Sequence, residues 1–181
     1  MRTVGLKKVV MHHLCLSRPC GLELLVKGKY YMIEYKIATS NDIKLLLESR
    51  LEMMKVVNNL SADYVYSDEF VKESQNYFLN GNQTTVLALD DGEVIGCASI
   101  SYVWIMPTFS HPTGRRAHLM NVYTRESYRR KGIARKMCEM LIEDAWNKGA
   151  TEISLDSTES GRLLYSSLGF NDSDECMVLI K

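Results

Sequence analysis

The sequence predicts a mixed α/β (α+β) domain, a mostly antiparallel sheet with helices on both faces. Three stretches carry that expectation. From Ala117 to Asp156 a strand-like run, a basic turn, a helix-like run and a second strand-like run follow one another, the order of a parallel, right-handed strand-helix-strand crossover. Asp90-Asp91-Gly92 separates two apolar runs and reads as the tight turn of an antiparallel hairpin. Ile43, Leu46, Leu47, Leu51 and Met54 repeat at helical spacing well upstream of both, so helices are not confined to the crossover.

Taken in order, residues 1–30 pattern cleanly as neither helix nor strand. We expect residues 1–31 to be an appendage, or an upstream extension of a gene whose start lies near Met32; an extra hairpin packed on the domain is the alternative. Residues 32–181 form the expected domain. Tyr31 to Ala38 alternates as a first strand, and Thr39-Ser40-Asn41-Asp42 is an N-cap cluster for the helix that follows. Asn58-Asn59 ends that helix. A second runs from Asp68 to about Leu79, capped near Ser67, with Phe70, Val71, Tyr77 and Phe78 on its buried side. Thr84 to Leu89 and Glu93 to Trp104 are the hairpin strands. Ile105 to Arg116 holds Pro107, His111, Pro112 and Gly114 and reads as a loop. Ala117 to Thr124 is a strand. From Ile133, the residues Ala134, Met137, Cys138, Leu141 and Ala145 mark one helix face, closed by Gly149. Glu152 to Asp156 is a strand and Gly161 to Leu168 a short helix. A strand from Phe170, an acidic turn at Asp172-Ser173-Asp174-Glu175 and a strand from Cys176 to Ile180 complete the order β-α-α-β-β-β-α-β-α-β-β.

Composition bounds the function. A chain of 181 residues with 46% hydrophobic side chains can bury a real core. Its 22 basic and 22 acidic residues cancel, which argues against nucleic acid as a partner. Five cysteines with no C-x-x-C pair suggest neither a disulfide framework nor a zinc site, and we expect no metal. No apolar run reaches the ~18–20 residues of a membrane span. The start, Lys7 to Leu16, is broken by His12 and His13 and lacks a cleavage site; a cytoplasmic protein is expected.

The chain is organised around Leu119 to Ala134. A strand leads into the basic turn Arg129-Arg130-Lys131, then Gly132, Ile133 and Ala134 open a helix. A helix N-terminus presents unpaired N–H groups and a partial charge of roughly +0.5. Basic residues and a glycine there make a candidate phosphate cradle, in which Gly132 and Ala134 keep the rim low. Three basic residues before a helix are otherwise only a solvated turn.

Arg129-x-x-Gly132-x-Ala134 after a strand resembles the signature of the GNAT superfamily of N-acetyltransferases, bacterial type. Tyr165-x-x-x-Gly169-Phe170 downstream resembles that family's second motif, and the element order above is similar to the GNAT fold. The likeness runs roughly from Ile33 to Lys181. It implies acetyl-CoA as co-substrate, with its pyrophosphate on Arg129, Arg130, Lys131, Gly132, Ile133 and Ala134. It implies that the pantetheine arm lies along Asn121, Val122, Tyr123 and Thr124, as an added strand would. An amide near Val122 or Tyr123 would polarise the thioester oxygen, a donor typically worth ~3 kcal/mol in the transition state. For this, the strand must part from Glu152–Asp156 at its end, which a bulge can do. The resemblance also assigns Tyr165 to protonating the departing thiolate; otherwise Tyr165, with Leu164 and Leu168, is the packed face of a short helix. Ser157, Thr158 and Ser160 read as helix caps first, with Ser157 and Ser160 as cofactor contacts second.

The resemblance implies an N-acetyltransferase that moves an acetyl group to a primary amine by direct attack. The alternative is a non-catalytic CoA-binding module of the same fold. The acceptor amine, small molecule or peptide, is not readable. Neither is the base: Glu52, Glu69, Glu126 and Glu159 each read first as surface charges. His111 and His118 are candidates for lining the acceptor cleft, and the acidic turn lies where relatives close it. By analogy a homodimer is favoured over a monomer. Another kind of nucleotide-binding domain is disfavoured, because neither G-x-x-x-x-G-K-[ST] nor G-x-G-x-x-G occurs.

Overall fold

A computed structural model describes residues 21–26, 29–173 and 177–180. In chain order these form β1 (Gly21–Val26), β2 (Lys29–Ile37), α1 (Ile43–Val57), α2 (Asp68–Asn80), β3 (Gln83–Asp90), β4 (Glu93–Trp104), β5 (Arg115–Thr124), α3 (Ile133–Asn147), β6 (Glu152–Leu155) and α4 (Arg162–Ser167). The strands make one sheet in sequence order, β1-β2-β3-β4-β5-β6. Every neighbouring pair is antiparallel except β5 and β6, which are parallel and joined through α3. The expected fold class therefore holds.

Alternation along the strands divides the core. Val86, Ala88, Ala98, Ile100, Ala117 and Leu119 face α3 and pack on Ile133, Met137, Cys138, Leu141 and Ala145. Leu87, Leu89, Cys97 and Tyr123 face the other way, onto Leu46 and Met53 of α1 and Phe78 of α2. Of the α3 residues that the spacing selected, Met137, Cys138, Leu141 and Ala145 are fully buried together with Ile133, each at most 1% exposed, whereas Ala134 is only partly covered. In α1 the buried set is Leu46, Ser49 and Met53, so the stripe is rotated from the expected one, and Leu47 and Leu51 are only partly covered. The β3–β4 hairpin turns on Asp91 and Gly92, both with positive φ.

The structure departs from the expected element order at both ends. A strand, β1, precedes the expected first one and pairs with β2 from Gly21↔Glu34 to Val26↔Lys29. The expected division between residues 1–31 and 32–181 thus falls inside β2, and residues 1–20 lie outside the described residues. Gly21–Val26 is a short, largely apolar run without a two-residue period, which periodicity cannot assign. At the C-terminus the two expected strands are absent: Phe170–Ser173 and Met177–Ile180 have no strand structure, and 174–176 lie outside the described residues. Phe170 instead packs edge-on against Tyr165, ring centroids 6.1 Å apart. Met177 to Ile180 are each at least 84% exposed. An apolar run that finds no strand to pair with has nothing to hold it extended in a sheet. The turn at Asp172 is held by Arg162, which donates to its carboxylate.

Among the described residues no helix is long and apolar enough to cross a membrane. No His/Cys/Asp/Glu group among them could hold a metal.

Candidate active site

Two consequences of strand pairing make the site. β5 and β6 pair only from Arg116↔Glu152 to Leu119↔Leu155. Beyond Leu119, β5 keeps β4 on one side, and its other edge has no strand partner among the described residues. On the β4 side, Ser99 pairs with Met120 and Cys97 with Tyr123. Ala98 therefore opposes two residues, Asn121 and Val122, a bulge. Asn121 takes the left-handed conformation, φ +56°, which asparagine tolerates better than most residues. Val122 packs toward α3. The Asn121 side chain turns toward α1, where its amide donates to Ser99 Oγ at 3.3 Å and its Oδ1 accepts from Arg50 at 3.1 Å. Cys97 Sγ donates to the Asn121 carbonyl at 3.5 Å. Burial pushes that thiol up to about 12, so Cys97 is no nucleophile.

Thr124 and Tyr123 are each 9% exposed and Ile133 is buried in the core, so toward a ligand these three can offer mainly main-chain atoms. Tyr123 donates to Glu52 Oε1 at 3.0 Å; burial, with this bond, pushes its phenol up to about 12. Arg129 folds back so that Nε donates to the Thr124 carbonyl at 3.1 Å. It fastens the turn to the strand end while the rest of the guanidinium stays exposed. Arg130 is left-handed, φ +61°, and Lys131 Nζ lies 4.8 Å from the Tyr128 ring centroid. Gly132 is the N-cap of α3, φ +79°, and carries no side-chain cap. The N–H groups of Ile133, Ala134 and Arg135 thus face out of the first turn with no carbonyl one turn back. A Cβ on Gly132 would meet no protein atom within 4 Å. Within the protein, glycine is favoured there by the positive φ and not by crowding. An open cleft of about 530 Å³ runs between the end of α1 and this turn, lined among others by Val56, Tyr123, Arg125, Ser127 and Arg129.

Tyr165 lies on α4, half-buried against the α3 side of the core. Gly161 lets its ring approach: a Cβ there would sit 2.8 Å from Cε2. Burial pushes the phenol up to about 12, and among the described residues the hydroxyl has no hydrogen-bond partner. The packed-face reading is therefore realised, with a hydroxyl left over. Ser157 and Ser160 are exposed. Thr158 is the N-cap of a short 3₁₀ turn, but its side chain bonds Ser160 Oγ at 3.2 Å and caps no backbone.

One base candidate, Glu52, and both cleft candidates, His111 and His118, are otherwise engaged. Arg125 donates to both oxygens of Glu52, Nε to Oε1 and Nη2 to Oε2, each at 2.8 Å, and this holds the Glu52 carboxyl below the usual carboxylate range. His111 is tied to Thr151 at 3.1 Å and Glu152 at 3.0 Å, at the start of β5 and far along the strand from the bulge. His118 is nearer, on the α1/α2 face, with Nδ1 2.9 Å from Ser154 Oγ and Nε2 3.8 Å from Asp156. The residue that sequence reasoning missed is Arg50, a charge set in line with Leu46 and Met54 on the apolar stripe of α1.

Comparison with known proteins supplies a family. A family model described as acetyltransferase (GNAT) family matches residues 51–170. A glucosamine 6-phosphate N-acetyltransferase of Trypanosoma brucei brucei is 31% identical over 88 residues, 49% of this chain and 58% of that protein, so the match spans little more than half of the relative. The crystal structure of a predicted acetyltransferase with acetyl-CoA from Clostridium acetobutylicum superposes with a TM-score of 0.72 at 28% identity, over 82% of this chain and 96% of that one. A GCN5-related N-acetyltransferase from Ralstonia eutropha JMP134 shares the fold, TM-score 0.68 at 20% identity, over 82% and 98%.

Proposed function

The chain belongs to the GNAT family of acetyltransferases, and from that premise we propose that it transfers an acetyl group from acetyl-CoA to a primary amine, in the cytoplasm and without a metal. The observation that carries the proposal is the continuous open edge from the β5 bulge to the uncapped start of α3. An acyl carrier that ends in a diphosphate needs both: extended main chain to pair with its arm, and converging N–H groups for its charge.

Arg129, Arg130, Lys131 and the amides of Gly132, Ile133 and Ala134 hold the pyrophosphate. Asn121, Val122, Tyr123 and Thr124 offer main-chain groups to the pantetheine arm, and Ser157 and Ser160 flank it. The bulge turns a main-chain amide near Val122 or Tyr123 out of the ladder, toward the oxygen where charge develops. The acceptor nitrogen, once deprotonated, attacks the thioester carbon directly; the C–N bond forms, the C–S bond breaks, and the thiolate takes a proton. Tyr165 supplies that proton or hydrogen bond, being protonated at any physiological pH. Glu52 is spent on Arg125 and is not the base.

Two measurements test this. Micromolar CoA should raise the melting temperature by mass action, and a panel of amines incubated with acetyl-CoA should release thiol. A chain that CoA does not stabilise, and that releases no thiol with any amine, is not an acetyltransferase.

A further inference from the structure

We propose that the acceptor carries an oxyanion group, carboxylate or phosphate, and that the guanidinium of Arg50 receives it beside the β5 bulge. The inference rests on the acetyltransferase reading and names its substrate class.

Arg50 is half-buried in the middle of α1. One Nη donates to Asn121 Oδ1, and Cζ stands 5.9 Å from the ring centroid of Phe70 on α2. Guanidinium has five N–H donors in a planar fork suited to two oxygens at once. Among the described residues no carboxylate comes within ion-pair distance of it. The acids on its own helix are committed elsewhere, Glu52 to Arg125 and Glu48 to Lys44. Burial accordingly lowers its hold on the proton. A charge taken out of water gains from an opposite charge, and among the described residues Arg50 has the Asn121 amide oxygen but no carboxylate.

Aromatic rings and hydroxyls stand around Arg50. Tyr66 stacks on Phe70 at 5.2 Å. Tyr77 and Ser101 share a hydrogen bond of 2.6 Å, and Tyr77 reaches Met120. His118 lies on the same face of β5 as Met120. These groups add aromatic surface and hydroxyls but no negative charge next to Arg50. The cation is one hydrogen bond from the bulge residue, so the reacting amine and the anion belong to one compact acceptor. An arginine that served only to hold Asn121 left-handed would slow all acceptors alike, which separates the two roles.

The test uses the full chain, acetyl-CoA and matched acceptors: glucosamine 6-phosphate against glucosamine, and L-alanine against L-alaninamide. In one pair the anionic member should have a kcat/KM at least about tenfold higher, and Arg50→Gln should bring the ratio to about one through KM, with Arg50→Lys in between. Which pair responds tells phosphate from carboxylate. Preference for neutral members, a preference that survives Arg50→Gln, or an equal fall in kcat for both members overturns the proposal. Binding is read separately with CoA saturating the α3 cradle. Inorganic phosphate or acetate should then raise the melting temperature of the wild type and not of Arg50→Gln; no shift in the wild type also overturns it. The shift caused by CoA itself, and thiol release with any amine, report on the acetyltransferase reading independently and show that each variant is folded.

Discussion

Glu52, on α1, grips Arg125, the first residue after β5, through two parallel hydrogen bonds of 2.8 Å. Tyr123 adds a third to the same carboxylate, and Arg125 also reaches Glu93 at 2.5 Å. The pair ties the helix that carries Arg50 to the strand end that carries the bulge. Hydrogen bonding by Arg125 holds the Glu52 pKa below its ordinary value despite burial. A depressed carboxylate stabilises the fold above its unfolded pKa, about 4.3, and loses that contribution as pH falls through the lower folded value. Melts from pH 3 to 7 should show a wild-type decline that Glu52→Gln flattens. Near neutral pH the substitution should cost about 1 kcal/mol, the upper range for exposed pairs, since Glu52 and Arg125 are 34% and 30% exposed. Parallel pH profiles for the two proteins would rule the linkage out.

Gly132 separates turn geometry from ligand approach. Its φ is +79° while an added Cβ meets no protein atom. Gly132→Ala should therefore cost the left-handed penalty, about 1–2 kcal/mol, and nothing for clash. Asparagine accepts that conformation more readily, so Gly132→Asn should melt nearer the wild type. If the diphosphate lies against this turn, both variants weaken CoA binding by about tenfold or more, because both carry the Cβ. Thermal melts with and without CoA measure both effects; unaltered CoA affinity in Gly132→Asn would remove the turn from the cofactor site.

What could be read from residue order was local. The α3 face, from Ile133 to Ala145, needs only helical spacing, and all of it but Ala134 is buried. The Asp91-Gly92 turn needs only two residues that accept positive φ. The chemistry asks β5 to part from β6, which a bulge can do; the bulge lies instead on the β4 side, and its left-handed residue could not be named. Asn121 sits in a strand-like run, and its φ follows from the register against Cys97 and Ser99, which is a tertiary fact. The strand expected from Phe170 is likewise replaced by a tertiary contact, the ring of Phe170 lying edge-on to Tyr165. Arg50 did leave a signal, a charge inside an apolar stripe, which counting apolar positions alone passes over.

Tyr165 has a hydroxyl with no protein partner among the described residues, so Tyr165→Phe should leave stability within about 0.5 kcal/mol. Turnover should fall, by up to the ~100-fold or more typical of a lost proton donor, with CoA affinity nearly unchanged. An unchanged rate would confine the tyrosine to packing on Phe170, and a chain that bound CoA without turnover would be a binding module. The pH dependence adds a sign. Burial pushes the phenol up to about 12, which widens the gap to a thiol near ~8.5 and favours hydrogen-bond donation over complete transfer. Any fall in kcat between pH 8 and 10 then belongs to another group and should persist in Tyr165→Phe.

Asn121 holds the bulge by backbone and by side chain, and two substitutions part these. Asn121→Gly keeps the left-handed conformation freely and removes the bonds to Arg50 and Ser99. Asn121→Val removes the same bonds and adds a β-branched side chain at φ +56°, a strain of about 1–3 kcal/mol. The valine variant can escape by closing the bulge, which turns the exposed amide back into the ladder and shifts the register beyond it. If oxyanion stabilisation depends on that amide, turnover in Asn121→Val falls far more than in Asn121→Gly, by about 100-fold for one lost donor. Steady-state thiol release from both, normalised to CoA-bound protein, makes the comparison. Equal losses would mean that the side chain, acting with Arg50, matters and that the bulge backbone does not.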